Sequence, residues 1–198
     1  MRTPLHVLHS INGGYVDTLG FVTMHGLFAA HVTGNIITMA AAFVSGTPQT
    51  LGKLLALPVY CVAVLTARAV SYRIAQRSEN AHLRFLLTLK LGLLTLASVM
   101  AIAHGPFTDP NTPMAVLTGM VMVSGMSLQN MVRRVHMPSA PPTTVMTGVI
   151  TQLMMDVVDA LYQRRAGDAK AVLRHGVPLA RGLAGFAGGA AVAAMALV

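Results

Sequence analysis

Residues 31–40 read HVTGNIITMA and residues 146–155 read MTGVITQLMM. Each sets Thr-Gly at the mouth of an apolar run, and each follows a stretch that no single membrane helix can absorb. As one helix, Tyr15–Gly46 would be about 48 Å long at about 1.5 Å per residue. A bilayer core of about 30 Å takes about 20 helical residues, so this stretch is too long for one crossing and too short for two with a turn. The economical reading is a break: a helix ending near Met24, an irregular piece HGLFAAHV, and a short helix from about Gly34 to Val44.

Met114–Tyr162 repeats the plan, with an apolar helix, the interruption VRRVHMPSAPP, and a second helix opening near Thr143. Aligning Thr33-Gly34 with Thr147-Gly148 sets Gly13-x-x-x-Asp17 before the first and Gly125-x-x-x-Gln129-Asn130 before the second. Each unit is followed by one more apolar helix, Leu51–Tyr72 and Val177–Val198, and Phe85–Ala103 lies between them. The expected fold is therefore an all-α membrane protein with six or seven transmembrane helices, arranged as two three-helix repeats with broken or re-entrant helices. One membrane domain covers residues 1–198: repeat one at about 5–77, a linking helix at about 84–104, and repeat two at about 113–198.

Composition agrees. Of 198 residues, 54% are hydrophobic and 10% charged, and the mean hydropathy is +0.63, well above the range of soluble domains. Leu5–Met24 is a further span by length, and Thr143–Tyr162 a more polar one. The net charge of +8 would suit nucleic acid, but the basic residues flank apolar segments, as cytoplasmic anchors do, and no basic face with interleaved aromatics appears. Arg68, Arg73, Arg77 and Arg84 mark one cytoplasmic loop, and Arg164, Arg165, Lys170 and Arg174 mark a second. Three candidate helices separate these loops, so either one segment within 114–162 dips in and returns, which the Pro-rich break fits best, or the charge rule fails here, or the protein inserts both ways round and pairs antiparallel. Cys61 is the sole cysteine and fits no metal spacing. The N-terminus lacks a compact apolar run with a small-residue cleavage site, so the first span is expected to stay.

Non-helical backbone at membrane depth leaves N–H and C=O groups that protein or a wet cavity must satisfy. In transporters built from repeats, such breaks present half-helix N-termini to anionic groups near the midplane. Thr33-Gly34-Asn35 offers a capping hydroxyl, a residue that lets backbone approach a ligand, and a short amide. Thr143-Thr144 after Pro141-Pro142, and then Thr147-Gly148, form the second start. Packing between helices explains a Thr-Gly pair equally well. Asp17, ionisable within an apolar stretch, is a functional candidate by default, its structural alternative being a carboxylate that caps a helix start or pairs with a buried donor such as His25 or Asn130. Asp156 and Asp159 read as a solvated interfacial pair, His25 and His31 as hydrogen-bonded histidines able to relay protons, and Lys90 and Arg181 as side chains reaching a helix end. Gly185-x-x-x-Gly189 offers a close-packing seam, internal or dimeric. The methionines serve as apolar filler. No P-loop, dinucleotide fingerprint, nucleophile elbow or H-E-x-x-H is present, so neither catalysis, a cofactor nor a metal is expected.

Gly14-Tyr15-Val16-Asp17-Thr18-Leu19-Gly20-Phe21, Thr33-Gly34-Asn35, Gly125 through Gln129-Asn130-Met131-Val132-Arg133-Arg134, and then Pro138, Pro141, Thr143-Thr144 and Thr147-Gly148 resemble the YoaK family of bacterial inner-membrane proteins. The resemblance covers nearly the whole chain. It implies about six or seven membrane helices and a bacterial inner (plasma) membrane location, and supplies no substrate.

The functional expectation is a transporter-like protein that binds or moves a small anionic solute, lined by Asp17, Thr33, Gly34, Asn35, Gln129, Asn130, Thr143, Thr144, Thr147 and Gly148. Its partners would be the lipid bilayer, that solute and a second copy in a homodimer, with no nucleic acid. The alternatives are a non-transporting scaffold or partner subunit, and a channel.

Overall fold

The computed structural model describes residues 3–46, 51–75, 78–144, 146–163 and 169–198, with side chains described for all of these except 3–4, 75, 160–163 and 169–175. Seven helices follow in order: α1 (Thr3–Thr23), α2 (Val32–Ser45), α3 (Leu51–Ala75), α4 (Glu79–His104), α5 (Pro113–His136), α6 (Met146–Gln163) and α7 (Ala169–Met195). There is no strand among the described residues.

Four of these helices are long and apolar enough to cross a membrane: residues 51–74, 79–104, 113–136 and 176–195. The 21-residue α1 carries His6, His9, Ser10, Asn12 and Asp17 and does not reach that apolarity. The 14-residue α2 is apolar but short, reaching about 21 Å. Arg164, Arg165 and Asp168 of the second basic loop lie outside the described residues, and residues 169–175, read as loop, are the start of α7.

Helix ends follow local chemistry. Gly46, at φ 66°, closes α2 in the left-handed conformation and returns its N–H to Ala42 O, the glycine C-terminal arrangement. Pro113 opens α5, where its missing N–H loses nothing, and the Thr112 hydroxyl accepts from Ala115 N at 3.3 Å. Asn111 Oδ1 accepts from Leu51 N at 2.8 Å and so caps α3 from the α4–α5 connection. The second break begins later than the sequence reading placed it. Residues 132–136 are helical, because nothing in VRRVH disfavours a helix, and α5 stops only where Met137 precedes Pro138.

The chain divides into two compact units, Val16–His136 and Met1–Tyr15 with Met137–Val198. In the first, α5 is the core helix: 67% of its apolar window is buried, against 17% for α3 and for α4. It packs on both of these, and α2 packs on α3. The outer faces of α3 and α4 show Val62, Leu65, Leu91 and Ile102, apolar on the side that a membrane would wet with lipid.

In the second unit, α7 packs on α6 and, through small residues, on the first half of α1. A Cβ at Gly189 would overlap the Ile11 carbonyl, one at Gly14 would overlap the Phe186 carbonyl, and one at Gly185 would sit 3.3 Å from Val7 O. The Gly185–Gly189 seam is thus used within the chain, letting two backbones approach where neither can move aside. Gly188 has nothing within 4 Å of its Cβ position. Gly189→Ala is therefore expected to destabilise by about 1–3 kcal/mol through overpacking, whereas Gly188→Ala, which only gains helix propensity, leaves the protein as stable or more so. Thermal melting of both variants in detergent checks this; equal losses would mean that the seam is not tight.

Candidate functional site

In the 16–136 unit, α1 ends in a left-handed turn, with His25 at φ 53° and Gly26 at φ 87°. Gly26 N–H returns to Phe21 O at 2.7 Å, the six-to-one bond of a Schellman ending. His25 stands where glycine is usual, and its Nε2 donates to Phe107 O at 2.8 Å. The chain then folds back over α1, and a Cβ at Gly20 would lie 2.8 Å from Leu27 O. Leu27, Ala29 and Ala30 are buried, so the polar backbone of 27–31 needs partners.

Two side chains supply them. Asn35, 1% exposed, accepts from Phe28 N through Oδ1 and donates from Nδ2 to Phe28 O, both at 2.8 Å. Asp17, 4% exposed, accepts from Ala30 N at 2.6 Å through Oδ1 and from His31 Nδ1 through Oδ2. The carboxylate thus pairs with His31, and not with His25 or Asn130. His31 occupies the N-cap position of α2 without a side-chain cap bond. Thr33 therefore lies inside the helix and is exposed, so it does not cap as expected. Gly34 makes room for the Phe28 ring, which would lie 3.0 Å from a Cβ there. An anion thus already sits just before α2, the carboxylate of Asp17, bonded to Ala30 N–H and to the ring of the N-cap residue His31.

The second polar group lies along α4 and α5, which run antiparallel: Leu94 meets Gly125, Lys90 meets Gln129 and His82 meets His136. Lys90 Nζ donates to Gln129 Oε1 at 2.6 Å. Because α4 begins at Glu79, Lys90 sits about 17 Å along the helix from that end and about 21 Å from His104, at mid-span. It turns inward to a fully buried amide instead of reaching for a helix end. Among the described residues Gln129 is its hydrogen-bond partner, and no carboxylate pairs with it. Asn130, next to Gln129, is half-buried. The start of α4 was the missed signal: Ser78 caps it, accepting from Ala81 N, with Glu79 in the first turn.

In the other unit, Thr143 and Thr144 are buried and Thr147 and Gly148 exposed. Thr143 Oγ1 has no hydrogen-bond partner among the described residues. Asp156 and Asp159 do not form a solvated pair. Asp159 is exposed, but Asp156 is buried, accepts from Gln152 Nε2 at 2.8 Å, and lies beside Gly176 of α7. The described residues contain no group of three or more His, Cys, Asp or Glu able to hold a metal ion.

A family model described as a protein of unknown function, DUF1275, matches residues 5–198. The chain belongs to that family. No curated protein and no solved structure matches it. Membership in DUF1275 accounts for the reach of the shared pattern, from α1 through the last helix, and carries no activity with it.

Asn35→Ala removes both partners of Phe28, and each buried group left unsatisfied costs about 1–3 kcal/mol. The variant is expected to melt clearly below the wild type, with faster hydrogen exchange at the Phe28 amide. Thr33→Ala, at an exposed position, should stay within about 0.5 kcal/mol. Unchanged protection at Phe28 in the Asn35 variant would refute the clasp.

Proposed function

We propose that this DUF1275 member is a multi-pass membrane protein that binds a small anionic solute and carries it across the bilayer, with Lys90 and Gln129 as the central contacts and Asn130 beside them. The observation that carries the reading is Lys90. An ammonium at mid-span, held by one neutral amide and matched by no carboxylate among the described residues, is costly in a membrane. An anion seated against it would complete both its charge and its hydrogen bonds.

The rest of the expected site enters unequally. Asp17 and Asn35 hold the first break, so they act as positioning residues; Thr33 and Gly34 in one unit, and Thr143, Thr144, Thr147 and Gly148 in the other, stay as proposed contacts within their own units. The element order supports the repeat: α1, a break, α2 and α3 precede α4, and α5, a break, α6 and α7 follow it, with Thr-Gly as the second and third residues of both α2 and α6. If α4 and α5 cross and α6 dips and returns, the two basic loops share one side and the charge rule holds. We further propose six or seven membrane segments in all, the bacterial inner membrane as the location, and the YoaK-like resemblance as the nearer kinship. A homodimer belongs to the proposal too, on a face other than the Gly185–Gly189 seam.

A scaffold or partner subunit is the second reading, favoured by the use of Asp17 and Asn35 entirely on the break. The two separate on ligand response. A thermal-shift screen of the purified protein against carboxylates and inorganic anions should find one class that raises the melting temperature, by the equivalent of about 2.7 kcal/mol at a hundredfold excess over Kd. Lys90→Gln should fold, melt no lower than the wild type without ligand, and lose that response together with saturable uptake into proteoliposomes. A wild type that no anion shifts favours the scaffold, a shift retained in Lys90→Gln removes Lys90 from the site, and unsaturable conductance indicates a channel.

A further inference from the structure

The seam that holds Lys90 and Gln129 ends in a pair of histidines that the proposed solute site does not use. His82, in the first turn of α4, and His136, the last residue of α5, are 2% and 3% exposed. His136 Nε2 and His82 Nδ1 are 3.1 Å apart, with ring centroids at 4.8 Å. The other nitrogen of His136, Nδ1, lies 3.7 Å from Glu79 Oε1, and the Glu79 side chain is 73% exposed. His82 Nε2 is buried and has no hydrogen-bond partner among the described residues, and Ser71 Oγ, near the end of α3, is in the same condition. Among the described residues the charged groups acting on the pair are Glu79 from α4 and Arg68 from α3, which stacks on Tyr72 at 4.6 Å, and Arg133 and Arg134 share the last turn of α5 with His136. One turn inward, Leu86 of α4 and Val132 of α5, each 0% exposed, separate the histidines from Lys90 and Gln129.

The geometry points to a proton-binding site at His82 and His136, loaded from water through Glu79, that controls whether this end of the α4–α5 seam is closed. The reasoning is a count of protons. Two neutral imidazoles share one hydrogen between their inner nitrogens, whichever ring donates it. One added proton is tolerated, because the ring that gains it keeps or becomes the donor, and a charge-assisted bond is stronger than a neutral one. When it resides on His136 it also faces the Glu79 carboxylate. A second added proton makes both inner nitrogens donors. The hydrogen bond is then gone, and two like charges stand in contact in a setting where water reaches only one edge, which drives them apart. Separation of the rings loosens Leu86 from Val132 and opens the seam toward mid-span from the side on which Glu79 lies. The site is independent of the anion reading, since it takes only protons and involves no residue of the proposed solute site.

The test measures helix separation against pH in the full-length protein in lipid nanodiscs. Spin labels go on cysteines introduced at exposed positions, Ala81→Cys on α4 and Val135→Cys on α5, in a Cys61→Ser background. Between about pH 8 and about pH 4, a range that extends below the ordinary imidazole value because a second charge beside the first is disfavoured, the label separation should lengthen by about 2 Å or more, the scale of switching helix shifts. His136→Gln can still donate to His82 but cannot be protonated, so its separation should stay short throughout; His82→Gln serves the same purpose should the first variant not fold. Lys90→Gln should respond as the wild type does, which keeps this result separate from the fate of the solute reading. A wild-type separation that does not change over this range, or a change that persists undiminished in a folded glutamine variant, overturns the proposal.

Discussion

Eight residues of non-helical backbone, 24–31, have to find hydrogen bonds without a helix of their own, and where backbone partners run out the side chains of Asp17 and Asn35 take the Phe28 N–H, the Phe28 carbonyl and the Ala30 N–H. Leu27, Ala29 and Ala30 are buried, so water cannot take that role, and each buried backbone group left unmatched would be destabilising. Asn35 is suited to the task because an amide offers a donor and an acceptor side by side, matching both groups of Phe28. Asp17 is suited to it because one carboxylate can serve a backbone N–H and an imidazole together. The left-handed turn at His25 and Gly26 reverses the chain, and the clasp holds the returning segment against the end of α1 and the start of α2.

The clasp also changes what a broken helix means here. A half-helix N-terminus is a ready site for an anion, but just before α2 the carboxylate of Asp17 already holds the Ala30 N–H and the ring of His31. The charge left without a counter-ion among the described residues lies elsewhere, on the α4–α5 seam, where a lysine about halfway along α4 is paired with a neutral amide. These two polar clusters have opposite logic. The first is complete within the protein and rigidifies it; the second leaves a charge uncompensated among the described residues, which protein stability alone does not explain.

Much of this architecture could be read before any coordinates. The length of Tyr15–Gly46 demanded a break, and Met24 and Gly34 bracketed it to within two residues at each end. Grouping the arginines of VRRVHMPSAPP with its prolines opens the second break five residues early, because the first residue that a proline restricts there is Met137, before Pro138. For Lys90 the helix boundary decides the reading: with α4 begun at Phe85 it lies close to an end, and with the Ser78 cap counted it falls near the middle. Three residues of spacing puts Asp156 and Asp159 only about 60° apart around α6, at about 100° per residue, yet the edge of the buried face falls between them, so one is buried and the other exposed.

By itself the sequence determined the helical class, the apolarity that calls for a bilayer, and the existence of breaks at two Thr-Gly starts, because hydropathy and helix breakers act within a few residues of where they are written. Only the tertiary structure decided that Asp17 meets His31, that Lys90 meets Gln129, and that His82 and His136 touch across 54 positions of chain. Such pairings hang on the rotation and register of each helix against its neighbour, set by the fit of whole faces such as Gly125 against Leu94. A residue's own identity gives no sign of which partner will stand opposite it.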